Sequence, residues 1–354
     1  MKQFWTAIVL LLTVFVGGCS ETQTPVKDTR LLLDTAIEIT AYGKDAKKGI
    51  AAAFDEYERI QKIADRFQPD SDISRVNAAA GGAPVKVDPL LIDMIAAVEA
   101  QPQPVRELVK MTIGPLADVW QIKDTADWRP PAATDVKAAL AFMDETAIEI
   151  DRQASTLRLA KAGMSLDVGA VAKGYATDRA VVALRAAGVK HALINAGGNV
   201  HAIGAKPDGS PWRVGLQHPR EKNKLSGVFA LTDGESLQTS GDYQRFVIYE
   251  GKRYAHIFDP RTGAPSETGL SSATIVCKSS TLGDILSTAV YVAGLTAGQS
   301  LLQQYYPDAG SVLIPIDGQT ISSDNIKERF SRQWAGERIE SIGTGIGAGP
   351  AWPC

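Results

Sequence analysis

The sequence predicts an α+β fold, a single mixed domain rather than a doubly wound sheet, on three observations. Segments with strand and helix periodicity follow one another without strict strand–helix–strand alternation, and no serial repeat is present. The composition, 45% hydrophobic and 22% charged, is that of an ordinary globular chain, and 354 residues give ample length for a buried core. A net charge of −3 without any block of basic residues argues against nucleic-acid binding.

The first segment stands apart from that domain. Lys2 precedes an apolar run over 4–16, broken only by Thr6 and Thr13, which closes in Val16-Gly17-Gly18-Cys19. The run is too short to span a bilayer and reads as the core of a secretory signal. Small residues directly before a cysteine resemble a bacterial lipoprotein cleavage site. Residues 1–18 are thus expected to be a signal peptide, with Cys19 the lipidated start of a membrane-anchored, periplasm-facing chain; a plain signal with an incidental cysteine is the alternative. The polar stretch 20–27 extends a tether placed over 19–30. Of the other cysteines, Cys277 ends an apolar run and reads as buried, a disulfide to Cys354 is open, and neither has metal-thiolate spacing.

Taken in order, 31–41 alternates apolar and polar residues and reads as one strand. Apolar residues at Ile50, Ala53/Phe54, Tyr57, Ile60/Ile63 and Phe67 mark an amphipathic helix over 45–67, and 73–77 begins a short polar segment. Asp88 as cap with Pro89 opens a helix to Val98; 101–104 reads as a proline-rich linker, and Gly114-Pro115 as a turn before Trp120. A third helix is expected over 134–143, capped by Thr134, and a hairpin from 147–151 and 156–160.

Chemistry-bearing residues then concentrate in five places. A short strand ends at Asp167, Gly169 turns the chain, and a helix from about Ala170 to Leu184 follows, whose N-terminus suits an anion and whose Lys173 can reach a phosphate. The same pattern fits an ordinary strand-turn-helix unit. A strand over 191–194 runs into Asn195-Ala196-Gly197-Gly198, where paired glycines permit either a tight turn or close approach to a ligand. The run 236–243, with Ser240 and Asp242, reads as a hydroxyl-rich turn before a strand over 246–249; Ser240 lacks the surroundings of a hydrolase nucleophile. Around Pro260, the segment His256-Ile257-Phe258-Asp259-Pro260-Arg261-Thr262-Gly263 ends a strand in a rigid polar turn. Finally, a helix capped near Ser280 or Thr281 and ending at Gly294 places Asp284 and Thr288 on one face, a carboxylate and a hydroxyl suited to Mg²⁺ or to capping and back-bonding alone.

In this order these five segments resemble the ApbE family, the FAD:protein FMN transferases, with the likeness running from about Leu31 to Phe330. The resemblance implies an ApbE-like fold over 31–330 and a Mg²⁺-dependent reaction. FAD is split at its pyrophosphate, FMN passes to a Ser or Thr hydroxyl of a partner flavoprotein, and AMP leaves. It further implies Asp284 and Thr288 as metal ligands beside a backbone carbonyl near Ala170, His256 as general base, and Lys173, Gly197, Gly198, Ser240 and Asp242 on the FAD side. Two departures stand out. The run 106–111, with Arg106 and Lys110, replaces an aromatic-acidic element common in the family, and Asn199 stands where an acidic residue is common. An FAD-storage lipoprotein and a Mg²⁺-dependent FAD pyrophosphatase are the alternatives; storage needs no base. The Gly-rich tail 331–354 is expected to be mobile.

Overall fold

Leu33 and Asp34 take left-handed backbone angles, φ 51° and 56°, and so fold the expected 31–41 strand into a hairpin. That hairpin is the edge of an eight-stranded sheet in a computed structural model that describes residues 24–122, 127–221, 223–332 and 341–343. The strands are β1 (Val26–Leu32), β2 (Thr35–Tyr42), β3 (His191–Ala196), β4 (Asn199–Ile203), β5 (Ser236–Gly241), β6 (Leu270–Cys277), β7 (Gly310–Pro315) and β8 (Ile321–Ser322). Their order in the sheet is their order in the chain, and every neighbouring pair is antiparallel. Mixed α+β architecture is therefore as expected. Shorter strands are named below by their residues.

The helices are α1 (Ala46–Ala64), α2 (Asp72–Ala78), α3 (Pro89–Glu99), α4 (Gln103–Leu108), α5 (Gly114–Trp120), α6 (Ala133–Leu140), α7 (Ala172–Ala186), α8 (Ser280–Ala293) and α9 (Leu295–Tyr305). Period-two alternation assigns each sheet face a different partner. Ile39, Ile194, Ile275 and Leu313 pack with α1, α3, α7 and α8, whereas Leu193, Val276 and Val312 pack with Trp212, Phe229 and Phe330 of a smaller sheet. That sheet joins Trp212–Gln217, Leu225–Leu231, Phe330–Ser331 and Ser341–Gly343. A third cluster gathers Trp120, Trp128, Tyr254 and Phe258 between α5, α6 and the hairpin Phe246–Tyr249/Lys252–Ala255.

Several local expectations are corrected. Residues 73–77 lie in α2, which Ser71 caps by accepting from the Ser74 N–H. The expected linker 101–104 runs into α4, and Gly114-Pro115 opens α5, because proline's fixed φ and missing N–H suit a first helical turn. The third helix begins at Ala133, with Thr134 inside it and no side-chain cap. The residues directly before Asp167, 164–166, are not a strand. Instead Asn77 bonds the Leu166 N–H and C=O at 2.7 and 3.0 Å, standing in for a strand partner. The hydroxyl-rich run 236–241 is β5, buried throughout, and not a turn. Residues 26–30 of the expected tether belong to β1, and within the expected mobile tail Ser341–Gly343 pairs in parallel with Val214–Leu216. The signal segment, Cys19 and Cys354 lie outside the described residues, so the disulfide does too. Cys277 has a free thiol bonded to the Ser279 carbonyl, and burial pushes its pKa up to about 12. Among the described residues no helix is long and apolar enough to cross a membrane.

Helix α1 tests the packing. Phe54 is fully buried against the sheet whereas Phe67, beyond the helix end, is 66% exposed. Phe54→Ala is expected to cost about 3–5 kcal/mol in chemical denaturation, and Phe67→Ala under about 0.5 kcal/mol.

Candidate active site

Helices α7 and α8 cross so closely that a Cβ on Gly174 would lie 2.2 Å from the Ser280 carbonyl oxygen and 2.8 Å from the Asp284 Cβ. Glycine at this point lets the Gly174 N–H donate to Asp284 Oδ2 at 2.9 Å. Asp284 is 3% exposed, and its Oδ1 accepts from Asn199 Nδ2 at 2.9 Å with Lys173 Nζ at 3.8 Å. Burial raises the carboxyl pKa; the Lys173 charge and the two hydrogen bonds oppose that rise without cancelling it. One turn on, Thr288 Oγ1 donates to the Asp284 carbonyl at 3.3 Å and accepts from Ser240 Oγ at 3.3 Å, which leaves one lone pair for a further ligand.

This wall faces a cleft of about 520 Å³. His256 lines the same cleft, between the hairpin ending at Ala255 and the two-residue strand Phe258–Asp259. Its backbone N–H and its Nδ1 both sit 3.1 Å from the Arg245 carbonyl oxygen. A carbonyl only accepts, so Nδ1 carries the proton and Nε2 keeps its lone pair. Burial first, then the Arg245 charge, holds the imidazole pKa well below its ordinary value, which keeps the ring neutral and able to accept a proton.

The structure thus gathers Ala170, Lys173, Gly197, Ser240, His256, Asp284 and Thr288 around one cleft. It does not bring Gly198 or Asp242 there. The Gly198 N–H donates to Asn195 Oδ1 in the β3–β4 turn. Asp242 is buried and forms a two-pronged ion pair with Arg220, both contacts 2.7 Å, while its carbonyl accepts from Arg253. The Asp259–Arg261 pair likewise shapes its own turn.

Three participants were missed in the sequence. Asn199 links Asp284 to the Thr239 N–H, which its Oδ1 accepts at 3.2 Å. Arg66 lines the cleft and bonds both Asp118 oxygens at 2.8 and 2.9 Å and Asp167 at 3.3 Å. Arg245 holds His256 through its carbonyl and pairs with Asp34 at 3.6 Å. Only Asn199 had left a signal, its place after the two glycines. The altered run 106–111 contributes Leu108, Val109 and Lys110 to the wall.

Among the described residues no group of three or more His, Cys, Asp or Glu could hold a metal. A buried carboxylate and a hydroxyl, in a cleft that the main chain at Gly169 and Ala170 also lines, are oxygen donors, which fit a hard cation that takes its remaining ligands from water and phosphate.

The ApbE family model matches residues 33–313, a span that contains every cleft residue named above. The chain belongs to the ApbE family. It is 32% identical to the FAD:protein FMN transferase of Klebsiella pneumoniae (strain 342), over 87% of this chain and 95% of that protein. It is 30% identical to that of Treponema pallidum (strain Nichols), over 92% and 95%. Among solved structures, the ApbE protein of Thermotoga maritima superposes with TM-score 0.79 at 26% identity, covering 86% of this chain and 99% of that one. The apo form of Pseudomonas stutzeri flavinyl transferase ApbE superposes with TM-score 0.75 at 28% identity, covering 87% and 97%.

Because Asp242 anchors a loop and does not line the cleft, Asp242→Asn is expected to cost about 1–3 kcal/mol by denaturation. Its KM for FAD should stay within about twofold, since no uniform binding contact is removed.

Proposed function

We propose that this ApbE-family chain is a Mg²⁺-dependent FAD:protein FMN transferase that works in the cleft between His256 and the Asp284–Thr288 face. The observation that carries the reading is that juxtaposition: a neutral imidazole with a free Nε2 opposite a buried carboxylate, a hydroxyl and a lysine. FAD is the substrate, and a Ser or Thr hydroxyl of a partner flavoprotein is the acceptor. The acceptor oxygen forms a bond to the FMN-side phosphorus, the bond from that phosphorus to the bridging oxygen breaks, and AMP leaves with the electron pair. His256 Nε2 takes the acceptor proton, which makes the hydroxyl a competent nucleophile without generating free alkoxide.

Asp284 and Thr288, with a main-chain carbonyl near Ala170, would hold Mg²⁺. Bound there, the ion supplies Lewis-acid neutralisation of the charge that builds on the departing phosphate. Lys173 adds a positive charge on the same side, and Gly197, whose φ of 61° favours glycine, lets main chain approach the ligand. Gly197 also sits where a Cβ would meet Thr35 Oγ1 at 2.0 Å, so no side chain intrudes on this wall.

The anchored, periplasm-facing placement belongs to the same proposal and rests on the sequence of residues 4–19. Fatty-acid labelling of the full chain that disappears in Cys19→Ala supports it; labelling that persists does not.

Incubation with FAD, Mg²⁺ and an acceptor tests the reading. Wild type is expected to yield acceptor-bound FMN and AMP together. His256→Ala should lower transfer by about 10²–10⁴-fold while retaining FAD affinity, and Asp284→Ala should abolish Mg²⁺ dependence. Free FMN with AMP would instead mark a pyrophosphatase, and unchanged FAD a storage protein. The pH profile carries a second expectation. Protonation removes the base, and the folded protein resists protonation below the ordinary imidazole value of 6.5. Activity is therefore present above the depressed pKa and lost as pH falls through it, so the acid limb of kcat/KM should lie below 6.5. A limb centred at or above that value would contradict the assignment.

A further inference from the structure

Asp178 has no place in the chemistry above, yet its carboxylate accepts four hydrogen bonds where that of Asp284 accepts two. It lies on α7, one turn beyond Gly174, and its carboxylate reaches across to the start of α8. Oδ1 accepts from the Ser280 N–H at 2.8 Å. Oδ2 accepts from the Thr281 N–H at 2.9 Å, from Thr281 Oγ1 at 2.7 Å and from Ser279 Oγ at 2.9 Å. A helix start normally leaves its first N–H groups to its own cap residue or to water. Here Ser279 does cap α8 locally, accepting from the Leu282 N–H, but the two N–H groups before it are satisfied by a different helix. His201 of β4 completes the cluster: its Nδ1 lies 2.8 Å from Ser280 Oγ and 4.0 Å from Asp178 Oδ1, so the sheet holds the same turn from beneath.

The geometry has a direct consequence for Asp284, which follows one turn after these contacts. The Gly174 N–H and Lys173 Nζ meet the Asp284 carboxylate across the contact of α7 with α8, and Asp178 ties the same two helices together at the adjacent turn. We infer that Asp178 is a positioning residue for Asp284, a cross-helix clamp that sets where the proposed cation ligand stands. The inference rests on the reading of Asp284 as a Mg²⁺ ligand.

The two are separable by Mg²⁺ titration of the FAD-free full protein by calorimetry, with a melting curve for each variant. Asp178→Asn is nearly isosteric but puts an NH₂ group against N–H donors that need an acceptor. It is expected to weaken Mg²⁺ binding by about tenfold or more, as loss of a group that orients a metal ligand does. Ser279→Ala removes the local cap and one hydroxyl contact yet leaves both cross-helix N–H bonds. It should lower the melting temperature while Mg²⁺ affinity stays within about twofold. Thr281→Val removes a single donor from the clamp, keeps the backbone contacts, and is expected to weaken Mg²⁺ by a smaller but measurable factor. Wild-type binding that is lost in Asp284→Ala establishes the metal reading independently. Wild-type-like affinity in Asp178→Asn, or equal losses of affinity in Asp178→Asn and Ser279→Ala, would overturn the clamp with that reading intact. Absence of Mg²⁺ binding by wild type would overturn both.

Discussion

The close approach of α7 to α8 at Gly174 is the constraint on which the rest of the site depends. Without a side chain there, the main chain of one helix donates to the carboxylate of the other, and Lys173 on the preceding position reaches the same group. Everything around this contact serves to fix it. The sheet places Asn199 beneath Asp284 through β4, and β5 sets Ser240 against Ser287 and Thr288 of α8. A hairpin then carries His256 to the opposite wall. Helix packing, sheet register and one hairpin therefore meet in a single cleft.

Burial acts on the two walls in opposite senses. It disfavours the charged form of both titratable groups, raising the pKa of Asp284 and lowering that of His256. For the imidazole that is useful, because a neutral ring bonded at Nδ1 to the Arg245 carbonyl is a base in waiting. For the carboxylate it is a cost, which Asn199, the Gly174 N–H and Lys173 offset only in part. A site that holds an under-compensated buried carboxylate beside a hydroxyl is disposed toward a cation, and this links the electrostatics to the transferase reading.

Local features of the site were legible in the sequence, and long-range ones were not. Asp284 and Thr288 share a face because they are four apart on a periodic helix, and Pro260 ends the two-residue strand Phe258–Asp259; both follow from neighbours in the chain, although the hairpin strand itself stops at Ala255, one residue before His256. The β5 strand was misread because its serines and threonines look like turn residues, whereas in the fold they satisfy one another, Thr239 with Thr274 and Ser240 with Ser287, each at 2.9 Å. Asn199 with Asp284, Arg66 with Asp167 and Asn77 with Leu166 are separated by 85, 101 and 89 residues, so no spacing rule could have joined them. Asp242 sits in a segment whose neighbours Thr239 and Ser240 line the cleft, while its own partner, Arg220, draws it into the scaffold.

The most direct test is Gly174→Ala. In an exposed helix interior this substitution stabilises by about 1 kcal/mol, because alanine is the better helix former. Here the added methyl would lie 2.2 Å from the Ser280 carbonyl oxygen, so the helices must part. The account predicts a variant less stable than wild type, with Mg²⁺-dependent FMN transfer lowered by at least about tenfold, a loss of about 1.4 kcal/mol in transition-state stabilisation. A variant as stable as wild type, with transfer unchanged, would contradict it.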